Sequence, residues 1–491
     1  MLTLPENILV KHPRQKRSEH IIIMVWDGMR PDLVSCKNTP NLLKFAQSGV
    51  TFADNHSCFP TLTRLNSASI STGAYPTTHG LMGNNILVTE LAPYRGISTG
   101  DYHNLLAFNQ VTNHQLLTTD SIAHIVAKSG GTVATVTSCS TGAAFLLNHQ
   151  QDGLIVNHSY VLPESSSIIK QFGSAPEADH PNIGRNTYAI DVLTKYILPE
   201  IKPNLTYVWL SDPDYTQHHY GLGSVKNMEA IRHMDDNLGR ILSTVKSLTM
   251  ETDIFVLSDH GFVTHEQPVK ITQKLVEAGL KTSEKSTDVI CVDTHIYVED
   301  NDADRIHQIV RFLQGETWCG PIFTRHSESS DQKYGHADGT LSLQLTGNDH
   351  PRAGDILYAY DWSCQTNANG IRGTSTGGSR CGHGSISPFE LRTMLFANGP
   401  SLKSGLVSQV PSGNIDVGLT ALHLLGIEPT GGHDGRILCE ALTNGPNPEE
   451  IYFTKETIWA ERENGTSPLK EIVQRSHVED TWYLDKGAVF R

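Results

Sequence analysis

Ile21-Ile22-Ile23-Met24-Val25-Trp26 runs directly into Asp27-Gly28. Six apolar residues with no polar alternation suit a strand covered on both faces, as in a parallel sheet with helices packed on either side. The abrupt change to Asp-Gly marks the carboxyl end of that strand, where open α/β sheets collect their ligands.

Downstream, helix and strand alternate. Pro40 to Ser48 reads as a short helix, with Thr39 as cap, Pro40 in the first turn and Gly49 as stop. Further helices are predicted at 121–128, 188–198 and 227–247, followed by strands at 132–136, 205–210 and 253–257. This repetition predicts an α/β core with a mostly parallel central sheet flanked by helices. The pattern changes after Phe262, where one helix (304–313) and short strands (289–298, 356–360) stand among many Gly, Ser and Asn residues. Segment 262–382 is therefore expected to be an inserted α+β cap or lid. Residues 1–261 and 383–450 would form the core, the latter contributing 389–398 and a helix at 416–425. Residues 451–491 read as a β-rich extension.

The chain has 491 residues, 38% hydrophobic and 18% charged, with 41 Gly and 23 Pro, an ordinary loop-rich globular mixture. Its formal charge of -14 argues against a nucleic-acid polymer as partner, because phosphate contacts need surplus Lys and Arg. A small anionic substrate stays open, since bound metal ions can reverse the field inside a cleft. The eight cysteines form no CxxC pair, and no apolar run has the length of a signal peptide core or a membrane span. A cytoplasmic protein without membrane contact is the expectation; the oligomeric state is not legible. The 24 histidines are the unusual feature, imidazole being the commonest metal ligand.

Three predicted strands end in metal-type ligands: Asp27 after the first, Asp212 and Asp214 with His218 after the strand ending at Leu210, and Asp259-His260-Gly261 after the strand ending at Leu257. His383 lies between glycines where the chain rejoins the core. Taken singly, an Asp at a strand end is commonly a cap or turn former. Together they are the carboxylate and imidazole set that zinc-like divalent ions accept.

The order of motifs resembles the type I phosphodiesterase/nucleotide pyrophosphatase branch of the alkaline phosphatase superfamily. The matching stretches are Asp27-Gly28-Met29-Arg30, Thr39-Pro40-Asn41-Leu42, Pro60 to Asn84, Asp212-Pro213-Asp214 with His218 and Gly221, Ser258-Asp259-His260-Gly261, and Gly382-His383-Gly384. The resemblance implies an alkaline-phosphatase-like core and Thr63 as nucleophile. It implies one metal held by Asp214, His218 and His383, and another by Asp27, Asp259, His260 and Thr63, with Asn84 on a phosphoryl oxygen. The two divalent ions would be zinc, with manganese or magnesium as alternatives. Metal coordination would activate a hydroxyl that is otherwise a poor nucleophile. Two cations can also clamp an in-line displacement that proceeds through a covalent phospho-Thr63 intermediate. The partner would be a small anionic phosphoester.

The sequence departs from that family at two places. Nucleotide-cleaving members usually carry an aromatic residue after the nucleophile, where this chain has Arg64, a group able to pair with a second anion. Trp209 stands where another stacking aromatic is often found, and is the remaining substrate-binding candidate. Asp212 replaces a common Glu. Cys58-Phe59-Pro60-Thr61-Leu62 begins a sulfatase motif but lacks its Arg, so that activity is rejected and Cys58 is read as a small buried residue. Tyr94, Arg95, Tyr102 and His103 in a long loop, and Arg325 and His326 in the insert, are open candidates for the cleft. His433 to Arg436 is read as a structural turn entering a strand. The leading expectation is a two-metal phosphodiesterase. A phosphonate or phosphomonoester hydrolase is the second, and a catalytically silent binding protein of the same fold the third.

Overall fold

The computed structural model describes residues 18–326, 332–377, 379–462 and 469–491. Its centre is a nine-stranded sheet in the order Leu406–Ser408, Val50–Phe52, Leu395–Asn398, Thr252–Leu257, His20–Trp26, Leu205–Leu210, Val133–Thr137, Leu154–Asn157, Tyr160–Leu162. The first strand runs parallel to both neighbours, with Val25 opposite Leu257 and Trp26 opposite Leu210. Leu395–Asn398 runs antiparallel to both of its neighbours, and Tyr160–Leu162 is antiparallel at one edge. Ile21, Ile23 and Val25 enter one hydrophobic core, and Ile22, Met24 and Trp26 enter another on the opposite face. The absence of polar alternation in this strand follows from that double burial.

The helices lie where apolar periodicity meets a cap. Val225–Ser247 starts at Ser224, whose side chain accepts from the Asn227 N–H, and buries Ile231, Met234, Leu238 and Ile241. The helix expected at 188–198 is instead an α-helix, Ile183–Val192, continuing as a π-helical segment, Leu193–Ile201. Pro199 lies inside that segment, and a residue without an N–H cannot sustain the regular i to i−4 ladder.

Beyond Phe262, a five-stranded sheet (Val289–Val292, His295–Val298, Ile356–Tyr360, Cys319–Thr324, Leu341–Ser342) packs on helices Ala303–Gly315 and Ile271–Glu277. Two expectations need correction here. The segment also contains the helix at 271–277, and 289–298 is a hairpin rather than one strand, turned at Asp293 with φ 49°. Asp tolerates that left-handed backbone better than the flanking β-branched residues would. Around 389–398 the chain forms a short helix, Pro388–Leu391, before its strand. Phe453–Glu461, Lys470–Val478 and Thr481–Phe490 form an antiparallel meander, and Ile458, Val473 and Leu484 pack with Phe59, Phe323 and Leu391. No described helix is long and apolar enough to cross a membrane, and all eight cysteines are unpaired.

Candidate active site

Three adjacent parallel strands release their ligands at one sheet edge. Asp27 follows Trp26 directly. Asp214 begins the helix Asp214–Tyr220, and Asp259-His260 follows the strand ending at Leu257. His383 is brought to the same place after the pairing of Cys381–Gly382 with Val263–His265. The seven ligand-type residues read from the sequence meet here. His260 Nε2 lies 3.1 Å from Asp259 Oδ2 and 3.6 Å from Asp27 Oδ1. Asp214 Oδ1 lies 3.3 Å from His218 Nε2 and 3.4 Å from His383 Nε2. Thr63 Oγ1 lies 3.1 Å from His260 Nε2. Two groups of potential ligand atoms each fall within 4.8 Å: Asp27, Asp259 and His260, and Asp214, His260 and His383. His260 borders both, and His218 reaches Asp214 from the outer side.

The donor set fits divalent cations on two grounds. Asp27 Oδ1, Asp214 Oδ1 and Asp259 Oδ2 are buried without a hydrogen-bond partner, which is costly unless a ligand supplies one. Each histidine turns Nδ1 to a backbone carbonyl: His218 to Cys381 at 3.2 Å, His260 to Gly261 at 2.9 Å, and His383 to Thr61 at 2.6 Å. A carbonyl can only accept, so Nδ1 carries the proton and the Nε2 lone pair faces the centre.

The electrostatics agree. Burial, with Asp259 and Asp214 beside it, pushes the Asp27 carboxyl well above its usual range, and burial raises Asp259 too. Burial also opposes ionisation of Asp214, but the charge and hydrogen bond of His218 outweigh it and hold that carboxyl low. Burial and His260 keep His383 neutral, well below the usual imidazole range. Burial and mutual repulsion thus disfavour the charged carboxylates of Asp27 and Asp259, a penalty that a bound cation would offset.

Thr63 is 4% exposed and opens the helix Thr63–Thr72. Asn66 clamps the preceding turn: its Oδ1 accepts from Ser57 Oγ and the Cys58 N–H, and its Nδ2 donates to the carbonyls of Cys58 and Leu62. Thr61 ties this turn to the His383 segment by accepting from the Gly384 N–H and donating to Ser385 O. Asn84 Oδ1 accepts from the Arg64 N–H at 3.0 Å, placing its amide beside the start of the helix.

Trp209 is a correction. It is 0% exposed, and its indole N–H donates to Asp27 Oδ2 at 2.9 Å. No face is left for a substrate to stack on, so it orients a ligand carboxylate instead. Asp212 also acts behind the ligands. It accepts from Thr216 N and Oγ1, Asn182 N and Asn186 Nδ2, while burial raises its carboxyl to about 6.

Sequence reading missed Asp293. At the hairpin turn of the 262–382 segment, its carboxylate binds Asn85 N at 2.8 Å and Asn85 Nδ2 at 2.7 Å, fixing the turn that carries Asn84. Its sequence signal was a lone Asp between β-branched runs. Tyr94 and Arg95 line a separate cavity of about 400 Å³ with Lys270 and Lys281, and none of the candidate ligands lines it. Tyr102 packs with His103, Phe145 and Tyr160, while Arg325 and His326 pair with Asp349 within the insert. His433 and Asp434 bind the backbone of Thr72 and Tyr75; the segment is structural, but a 3-10 turn follows it rather than a strand. A third buried group, Asp54, His56 and Asp485, is neutralised by Lys455 and Arg392. It is an ionic seam between core and tail.

The model of the type I phosphodiesterase / nucleotide pyrophosphatase family matches residues 21–372. The chain belongs to this family. Among curated members, ectonucleotide pyrophosphatase/phosphodiesterase family member 3 of Rattus norvegicus is 22% identical over 423 residues, covering 83% of this chain and 42% of the relative. Venom phosphodiesterase 2 of Crotalus adamanteus is 23% identical over 246 residues, covering 49% of this chain and 26% of the relative. The chain thus spans about a quarter to a half of the curated family members it matches. Among solved structures, murine ectonucleotide pyrophosphatase/phosphodiesterase 5 superposes with a TM-score of 0.60 at 16% identity, covering 85% of this chain and 97% of that one. Wild-type alkaline phosphatase PafA superposes with a TM-score of 0.68 at 14% identity, covering 87% and 99%. The family core is thereby an alkaline-phosphatase-like α/β fold.

Proposed function

We propose that this family member hydrolyses small phosphoric esters, diesters first, using Thr63 as nucleophile beside two divalent metal ions. The observation that carries the reading is the set of three orphaned carboxylate oxygens gathered with His260 and His383 into two ligand clusters that share His260, whose Nε2 lies 3.1 Å from the Thr63 hydroxyl. Asp214, His218 and His383 would hold one ion, and Asp27, Asp259 and His260 the other with Thr63, zinc being the best match to this donor set. Bound there, the cations supply Lewis-acid charge neutralisation to the phosphoryl group. Thr63 Oγ attacks phosphorus, the bond to the leaving oxygen breaks, and water then cleaves the phospho-Thr63 ester to restore the hydroxyl. Asn84, whose Oδ1 is held by the Arg64 N–H, directs its amide N–H groups at a phosphoryl oxygen.

Core (1–261, 383–450), cap (262–382) and extension (451–491) remain our proposed division, and the eight unpaired thiols favour a reducing, cytoplasmic setting. A phosphonate or phosphomonoester is the second reading, favoured by the unpartnered Arg64 side chain. Metal analysis joined to turnover of bis-p-nitrophenyl phosphate, p-nitrophenyl phosphate and p-nitrophenyl phenylphosphonate tests these readings. Two equivalents of metal with fastest diester turnover supports the first. Faster monoester or phosphonate turnover selects the second, and metal-free, inactive protein leaves a binding protein of this fold.

A further inference from the structure

Two arginines of the described residues show how a buried guanidinium is ordinarily satisfied in this fold. Arg30 binds both oxygens of Asp32 and the carbonyls of Phe262 and Arg372. Arg436 binds both oxygens of Glu440, the Pro411 carbonyl and Tyr483 Oη. Arg64 differs from both. Its Nε is buried without a hydrogen-bond partner, and its side chain forms no ion pair among the described residues.

The surroundings hold it in place without satisfying it. Its backbone N–H is fixed by Asn84 Oδ1, and the guanidinium lies under Gly100, where a Cβ would come within 3.8 Å of Cζ and Nε. Asp27, Asp293 and Asp214 act on it as nearby negative charges but form no ion pair with it: Asp27 Oδ2 is bound to Trp209 and both oxygens of Asp293 to Asn85. A buried guanidinium nitrogen without a hydrogen-bond or ion-pair partner is costly, and a planar fork matches a carboxylate or phosphate in two parallel hydrogen bonds. Arg64 directly follows Thr63, whose hydroxyl would attack phosphorus.

We propose that Arg64 is a substrate clamp that selects phosphoryl compounds carrying a second anionic group, carboxylate or phosphate, next to the reacting phosphorus. This rests on the reading of the Thr63 site as the phosphoryl-binding centre. A diester with two neutral arms leaves the guanidinium unpaired, and sites built to bind a polar group reject analogues lacking it.

Titration calorimetry on the metal-loaded protein tests this with methyl phosphate, phosphoglycolate and ethylene glycol bisphosphate. At least one of the two doubly anionic ligands binds about 10- to 100-fold tighter than methyl phosphate, the range of a charge-assisted pair. Which one does so identifies the second group. Arg64→Ala erases the preference, and Arg64→Lys, which keeps the charge but not the fork, restores part of it. Metal content and melting temperature check that both variants are folded; should Ala unfold the protein, Lys against wild type still reads the preference. An equal affinity ratio in wild type and variants, or no preference in wild type, overturns the proposal. Nitrophenyl ester turnover separates the two readings. If wild type hydrolyses none of the esters yet shows the Arg64-dependent preference, the hydrolase reading fails and the clamp stands. If esters are hydrolysed but the preference is missing, the clamp alone fails.

Discussion

Trp209 donates its indole N–H to Asp27 Oδ2 at 2.9 Å from a wholly buried ring, leaving Asp27 Oδ1 bare toward His260. The bond fixes which oxygen faces the site. Trp209→Phe keeps the apolar body and removes the donor. We expect metal affinity to fall about 10- to 100-fold, the usual cost of losing a group that orients a ligand. Competition with a zinc chelator measures it, and unchanged affinity would remove Trp209 from the site.

Thr63→Ala deletes the oxygen we propose as nucleophile while leaving both carboxylate–imidazole groups intact. Turnover of the best ester should drop by about 10³-fold or more, with metal content and melting temperature close to wild type. Residual activity within tenfold of wild type would move the nucleophile elsewhere.

If the proposed metals bind, removing them would expose the repulsion among Asp27, Asp214 and Asp259. The chelated protein should melt lower, and readdition of zinc at about a thousandfold excess over its dissociation constant should restore about 4 kcal/mol. Differential scanning calorimetry reads the difference.

Asp293→Ala unties the Asn84-Asn85 turn from the hairpin that braces it. A displacement of about 1 Å in a positioning group costs about 100-fold, so kcat/KM should fall about 10- to 100-fold while metal affinity holds. A fall in metal affinity instead would place Asp293 nearer the ligands than the phosphoryl group.

Glu390 is buried, accepts from Ser385 N and Ser387 Oγ, and has its carboxyl raised by burial from 4.5 to about 7. The folded state therefore keeps a proton that the unfolded chain releases above pH about 4.5. Wild-type stability declines as pH rises from there to about 7, by at most about 3 kcal/mol. Glu390→Gln lacks that decline, so its stability relative to wild type should climb across this window and level off above it in urea titrations.

Two of the candidate ligands were legible because each closes an apolar run: Asp27 after Trp26, Asp259 after Ser258 and the strand ending at Leu257. A strand buried on both faces has no polar alternation, so its ends stand out in the sequence. What sequence does not encode is direction. Trp209 lies at a strand end whichever face it occupies, and only the packed sheet turns its indole to Asp27. Asp293 meets Asn85 across 208 residues, a contact made by the hairpin's docking rather than by local pattern. The carbonyls that set the histidine tautomers belong to Thr61, Gly261 and Cys381, and a backbone oxygen leaves no trace in residue identity.

The strand Leu395–Asn398 lies between Thr252–Leu257 and Val50–Phe52, and His383 precedes it by only twelve positions. A polypeptide emerging from the ribosome therefore carries Thr63, Asp27 and Asp259 for more than a hundred residues before the piece that completes them is made. Premature termination anywhere in that interval yields a product with an open hydrogen-bonding edge and an incomplete ligand set, inert as a catalyst and prone to self-association.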